Sequence, residues 1–250
     1  MTSTPGIDVA EWPEPVEIVN EAGRSEIVLI CEHASNYIPP SFDGLGLPDE
    51  ELVRHIAWDI GAEAVSRLLS EMLDSPCFLG RYSRLLIDLN RPLDSPTSIP
   101  VRSESTAVPG NMGITDENRQ VRIERIFEPF QSAVEQHLDQ RLAEGRSTKI
   151  VAIHSFTPVF LGISRPWHAG ILFDRSAKFA DRTIGLLSGE TGLTVAANVP
   201  YVIERSSDYA IPIHGEDRGL EAILIELRND LLATSDARHE WAERLYRALG

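Results

Sequence analysis

Two histidines stand at the ends of apolar runs: His33, one residue beyond Glu26–Cys31 after Glu32, and His154, directly after Lys149–Ile153. A carboxylate, Glu226, interrupts the Ile-Leu-Ile-Glu-Leu run at 223–227, where a charge needs a partner or a task. A catalytic zinc takes three protein ligands and leaves one position for water or substrate. His33 and His154 supply two nitrogens. For the third ligand Asp59, in Ala-Trp-Asp-Ile-Gly, competes with Glu32 and Asn36. A carboxylate beside the metal that does not bind it takes the water's proton, and Glu226 fits that role. Arg84 and Arg91, with Asn90, offer bidentate hydrogen bonds to a substrate carboxylate, and Arg228 follows Glu226 at the same strand end.

These side chains need a sheet to bring them together. Strand-like runs are Glu26–Cys31, Leu85–Leu89, Lys149–His154, Gly170–Phe173, Leu193–Ala196 and Ala222–Leu227. Each is rich in Val, Ile or Leu, as suits strands buried on both faces. Helical periodicity runs from Asp49 to Met72, placing Asp59 near the edge of a buried helix face. A second stripe runs from Thr115, a plausible N-cap, to Ala143, with Pro129 expected to kink it. Further helices start at Ser176 and Ser235. The alternation predicts a three-layer α/β fold, with a mostly parallel, mixed central sheet flanked by helices. Ligands in such sheets sit at the carboxyl ends of strands, where His33, Asn90, His154 and Glu226 fall. The chain reads as one domain, 1–250, with residues 1–24 loosely ordered. The Pro- and Gly-rich stretch Pro92–Gly113 is a lid candidate.

The balance of 38 acidic to 23 basic residues gives a net charge of -15, which disfavours nucleic acid as a partner. Two cysteines, Cys31 and Cys77, imply no disulfide framework. No apolar run reaches membrane-spanning length, and the start lacks a secretory pattern. A cytoplasmic protein acting on a small molecule is expected.

The runs Cys-Glu-His-Ala-Ser-Asn-Tyr-Ile-Pro (31–39), Ser-Arg-Leu-Leu-Ile-Asp-Leu-Asn-Arg-Pro (83–92), Ile-His-Ser-Phe-Thr-Pro-Val-Phe (153–160) and Ile-Glu-Leu-Arg-Asn-Asp-Leu (225–231) resemble the N-formylglutamate amidohydrolase family. The resemblance covers most of the chain from Glu26 onward. It implies a phosphorylase/hydrolase-like fold, similar to the zinc carboxypeptidases, and hydrolysis of N-formyl-L-glutamate to formate and glutamate in histidine breakdown. It matches His33 and His154 to metal-binding histidines. It matches Asn90-Arg91 to a carboxylate-holding pair and Glu226 to a general base. Where members commonly carry Trp-His-Val, this chain has Trp58-Asp59-Ile60, and Asn36 stands where carboxypeptidases have the Glu of His-x-x-Glu. The family's site is also lined by the region of Asp208–Gly215, so His214 or Tyr209 is a candidate donor to a developing oxyanion. The expected cofactor is Zn2+, with Fe, Mn or Co compatible with the same ligands. The alternatives are a deacylase or carboxypeptidase for another N-acyl amino acid or peptide, and a catalytically silent metabolite-binding relative.

Overall fold

The computed structural model describes residues 12–250. In chain order the elements begin with β1 (Val16–Val19), β2 (Ile27–Cys31), α1 (Asp49–Leu52), α2 (Ala62–Leu73) and β3 (Cys77–Gly80). A small hairpin follows, β4 (Arg102–Ser103) with β5 (Thr106–Ala107), then α3 (Asp116–Arg122) and α4 (Glu128–Ala143). Next come β6 (Lys149–Phe156), a second small hairpin of β7 (Val159–Phe160) and β8 (Ile163–Ser164), and β9 (Ala169–Leu172). The chain closes with α5 (Ala177–Ser188), β10 (Val195–Ala197), β11 (Glu221–Arg228) and α6 (Ser235–Leu249).

Seven strands form the central sheet in the order β1-β3-β2-β6-β11-β9-β10. β3, β2, β6 and β11 run parallel. β1 lies antiparallel to β3, and β9 antiparallel to β11. Side chains alternate across the sheet. Leu29, Val151 and Ile223 pack with α2, α5 and α6 on one face, while Ile30, Ala152 and Leu224 pack with α4 on the other. The mixed three-layer fold expected from sequence is therefore present.

Several boundaries differ from expectation. Leu85–Leu89 is not a strand. Its apolar side chains are buried, but side chains rather than a neighbouring strand satisfy its backbone. Asn111 Nδ2 donates to Leu85 O at 2.7 Å, Arg122 Nη1 to Leu86 O at 2.8 Å, and Gln131 Nε2 to Leu89 O at 2.7 Å. The expected helix from Asp49 to Met72 is broken between α1 and α2, so Asp59 sits in a loop rather than on a helix face. Gly61, at φ +85°, opens α2 where a Cβ would meet Leu232 at 2.6 Å.

Thr115 caps α3 as expected, accepting from Asn118 N. A π-turn over Ile123–Phe127 joins α3 to α4 and accommodates Pro129, which has no N–H to give. Thr234, not Ser235, caps α6, and Ser176 turns its hydroxyl to Ala222 N instead of capping α5. Within the N-terminal stretch expected to be loose, residues 16–19 form edge strand β1; residues 1–11 lie outside the described part. The stretch 92–113 carries the β4–β5 hairpin and buries Ser98, Ile99, Val108 and Asn111. Thr97, Pro100, Arg102, Ser103 and Glu104 of this stretch line the cavity described below. No described helix is long and apolar enough to cross a membrane.

Candidate active site

The carboxyl ends of β2, β6 and β11 open into a cavity of about 360 Å³, within the range of small-molecule sites. Strand register does the first step of assembly. His154 of β6 stands directly opposite Glu226 of β11, and both are buried. His33 follows the end of β2, and its carbonyl accepts from Asp59 N at 3.0 Å, which draws the loop before α2 over the sheet end. Ser155 continues the tie: its N–H donates to Asp59 Oδ2 at 3.1 Å and its hydroxyl to Ile60 O at 3.0 Å.

Three side chains thereby converge. His33 Nδ1 lies 3.4 Å and His154 Nδ1 3.1 Å from Asp59 Oδ2. The outer nitrogens are held from behind: His33 Nε2 donates to Asp88 Oδ1 at 2.7 Å, and His154 Nε2 to Glu32 Oε2 at 2.9 Å. A ring whose Nε2 donates to a carboxylate presents a lone pair at Nδ1. Two such lone pairs facing one carboxylate oxygen repel unless a proton or a metal cation lies among them. His33 Nδ1 is also buried with no hydrogen-bond partner among the described residues. The three ligand atoms lie within 4.8 Å of one another, so the donor set fits a metal ion. Among the described residues this is the one such cluster.

The acidic neighbours favour positive charge at this point, whether a proton or a metal cation. Burial lowers the proton affinity of His154, but the charges of Glu32 and Asp59 more than offset it and hold its pKa well above the ordinary range. Burial likewise pushes Asp59 up, and His33 and His154 outweigh it and leave it lowered. Asp88 is held well below the usual carboxylate range by Arg84 and His33, against its burial. Glu226 is the exception. Burial dominates, Asp59 adds like-charge repulsion, and its pKa is pushed up to about 7.

The remaining sequence candidates divide. Arg84 lines the cavity, but Nε and Nη2 donate to Asp88 Oδ2 at 3.1 and 2.8 Å, and Nη1 reaches Asp59 Oδ1 at 3.3 Å. Arg91 also lines it, with Nη1 on Asp208 Oδ1 at 3.2 Å and on Ser207 O. Asn90 uses its amide oxygen to accept from Tyr209 N and Ala210 N. Glu32 stands behind His154, and Asn36 donates to Leu52 O instead of facing the cluster.

His214 and Tyr209 do not line the cavity. His214 is buried against Gln131 Oε1 at 2.7 Å, and Tyr209 packs edge-on against it and Phe127. Arg228 points to Asp230, away from the cavity. Asp88 is the principal residue that the sequence reading passes over. Its signal is the one that singles out Glu226, a carboxylate inside an apolar run.

The class of the protein, an amidohydrolase, follows from its family. The sequence profile of N-formylglutamate amidohydrolase matches residues 25–233, and the chain belongs to that family. The crystal structure of gene product Atu2144 from Agrobacterium tumefaciens superposes with a TM-score of 0.92 at 38% identity, covering 95% of this chain and 94% of that one. N-formylglutamate amidohydrolase from Ralstonia eutropha JMP134 shares the fold, with a TM-score of 0.69 at 19% identity over 95% of this chain and 96% of that one. No curated protein matches the chain in sequence.

Proposed function

We propose that the protein hydrolyses the amide of a small N-acyl amino acid, giving a carboxylic acid and the free amino acid, with a divalent metal, zinc foremost, held by His33, Asp59 and His154. The observation that carries this reading is the convergence of two inward-facing Nδ1 atoms on Asp59 Oδ2, each ring pinned from behind by a carboxylate. A metal bound there supplies Lewis-acid polarisation of the amide carbonyl and lowers the pKa of water.

The chain's own residues do the rest. Glu226 is buried beside the cluster, its Oε2 lacks a partner among the described residues, and a pKa of about 7 suits a group that takes a proton from water and returns it to the leaving amine. Among the described residues Arg91 uses only Nη1, which leaves Nε and Nη2 for a substrate carboxylate that orients the scissile bond. Arg84, held by Asp88 and Asp59, steadies the metal ligands rather than the substrate.

The test is elemental analysis of the purified protein, together with amine release from N-formyl amino acids. Wild type should carry about one metal per chain, and the double variant His33→Ala, His154→Ala none. A reconstituted wild type that holds no metal, or that releases no amine from any N-acyl amino acid, would sink the reading.

A further inference from the structure

We infer that the outer wall of the cavity is a subsite for an aromatic or large apolar side chain, so that the amino acid taken carries one carboxylate rather than the two of glutamate. This rests on the amide-hydrolysis reading above and names its substrate class.

The wall is formed by Phe156, Phe160, Tyr201 and Val202. Behind it stands Arg165, only 8% exposed. Its guanidinium carbon lies 4.5 Å from the Phe160 ring centre, 4.8 Å from Tyr201 and 5.9 Å from Phe156, and Nη1 donates to the Tyr201 hydroxyl at 3.0 Å. Among the described residues Arg165 makes no ion pair. A buried cation is ordinarily placed beside a carboxylate, whereas here three ring faces surround it. The stacking fixes the rings before any ligand arrives, and a pre-set apolar face binds without further ordering cost.

This wall adjoins the reacting centre for a backbone reason. Gly170 of β9 pairs in register with Glu226. A Cβ at Gly170 would fall 1.6 Å from Val199 O. Only glycine lets the backbone of Val199 lie directly on β9, and from there the chain runs on to Tyr201 and Val202 in the wall of the cavity on which Glu226 opens.

The charges point the same way. Five carboxylates line the cavity (Asp59, Asp88, Glu104, Asp208 and Glu226) against three arginines. Arg84 has every guanidinium nitrogen engaged with Asp88 or Asp59. Arg102 lies at the exposed rim. Arg91 alone offers an inner fork, enough for one α-carboxylate. A second carboxylate would meet rings and like charges, a pairing that costs affinity. Exposed Val159 and Ile163, 50% and 71% accessible, extend the apolar surface on the β7–β8 hairpin.

The experiment is a comparison of kcat/KM for N-formyl-L-phenylalanine, N-formyl-L-leucine and N-formyl-L-glutamate on the zinc-loaded full chain. Phenylalanine should exceed glutamate by at least about tenfold, and Phe160→Ala should narrow that ratio by roughly tenfold. A preference for N-formyl-L-glutamate, or a ratio unmoved in Phe160→Ala, overturns the inference while leaving amide hydrolysis intact. If no amide is cleaved, the functional reading fails instead, and calorimetric binding of L-phenylalanine against L-glutamate reads the subsite directly. Tighter L-phenylalanine supports it; equal or tighter L-glutamate, or binding of neither, overturns it.

Discussion

His154 Nε2 lies 2.9 Å from Glu32 Oε2, on the side of the ring turned away from Asp59. That contact fixes which nitrogen faces the cluster and raises the basicity of the ring. Replacing Glu32 by Gln keeps an acceptor but removes the charge. Metal affinity should then fall about 10- to 100-fold, measured by competition with a chelator of known affinity. Unchanged affinity would show that Glu32 has no hold on the site. Stripping the metal from wild type should also lower Tm, because an ion bound only to the folded state stabilises it by about 2.7 kcal/mol at a hundred times its Kd.

Glu226→Gln tests the proton-transfer role apart from metal binding. The side chain has nearly the same shape, so metal content should stay at the wild-type level while kcat falls by roughly 10²- to 10⁴-fold. Because burial pushes the Glu226 pKa up to about 7, the carboxylate is lost as pH falls through that value. A bound divalent charge favours the carboxylate, so the acid limb of kcat/KM should lie at or below pH 7. The residual activity of Glu226→Gln should lack that limb. A variant with near-normal rate would remove Glu226 from the mechanism.

The parts legible in the sequence are those where one physical requirement dominates. β2, β6 and β11 are buried on both faces, so they read as continuous Val, Ile and Leu runs, and His33, His154 and Glu226 are found from where those runs end or break. β1 is a four-residue, half-buried edge strand, and β3 is only Cys-Phe-Leu-Gly, so neither offers enough length to show a period. Leu85–Leu89 misleads because burial alone resembles a strand, while the groups that satisfy its backbone come from residues 111, 122 and 131. His214 misleads in the opposite sense: a polar residue in the expected region is turned into the core toward Gln131.

Asn111 is the centre of that hidden support. Its Nδ2 donates to Leu85 O at 2.7 Å and Pro100 O at 2.8 Å, and its Oδ1 accepts from the fully buried Arg122 at 2.7 Å. Asn111→Ala leaves two carbonyls and part of a guanidinium buried without partners. It should cost roughly 3 kcal/mol, a fall in Tm of roughly 6–12 °C for a chain of this size. The loosened 85–91 segment carries Asp88 and Arg91, so kcat/KM should fall as well. Full stability in calorimetry would mean that water replaces the side chain.

His214, outside the His33–Asp59–His154 cluster, should add an acid sensitivity of its own. Burial, reinforced by Arg218, lowers its pKa from 6.5 to about 4. The folded state therefore keeps it neutral where the unfolded chain takes up a proton. The sign follows: its contribution is fully present above pH 6.5 and is lost as pH falls from 6.5 toward 4, by at most about 1.4 kcal/mol per pH unit and roughly 3 kcal/mol in all. In His214→Gln, which cannot take up a proton there, the drop in Tm between pH 7 and pH 5 should be smaller than in wild type. Both proteins should be measured after chelation, so that the pH dependence of metal binding is removed. Equal slopes for the two would assign the acid sensitivity to other groups.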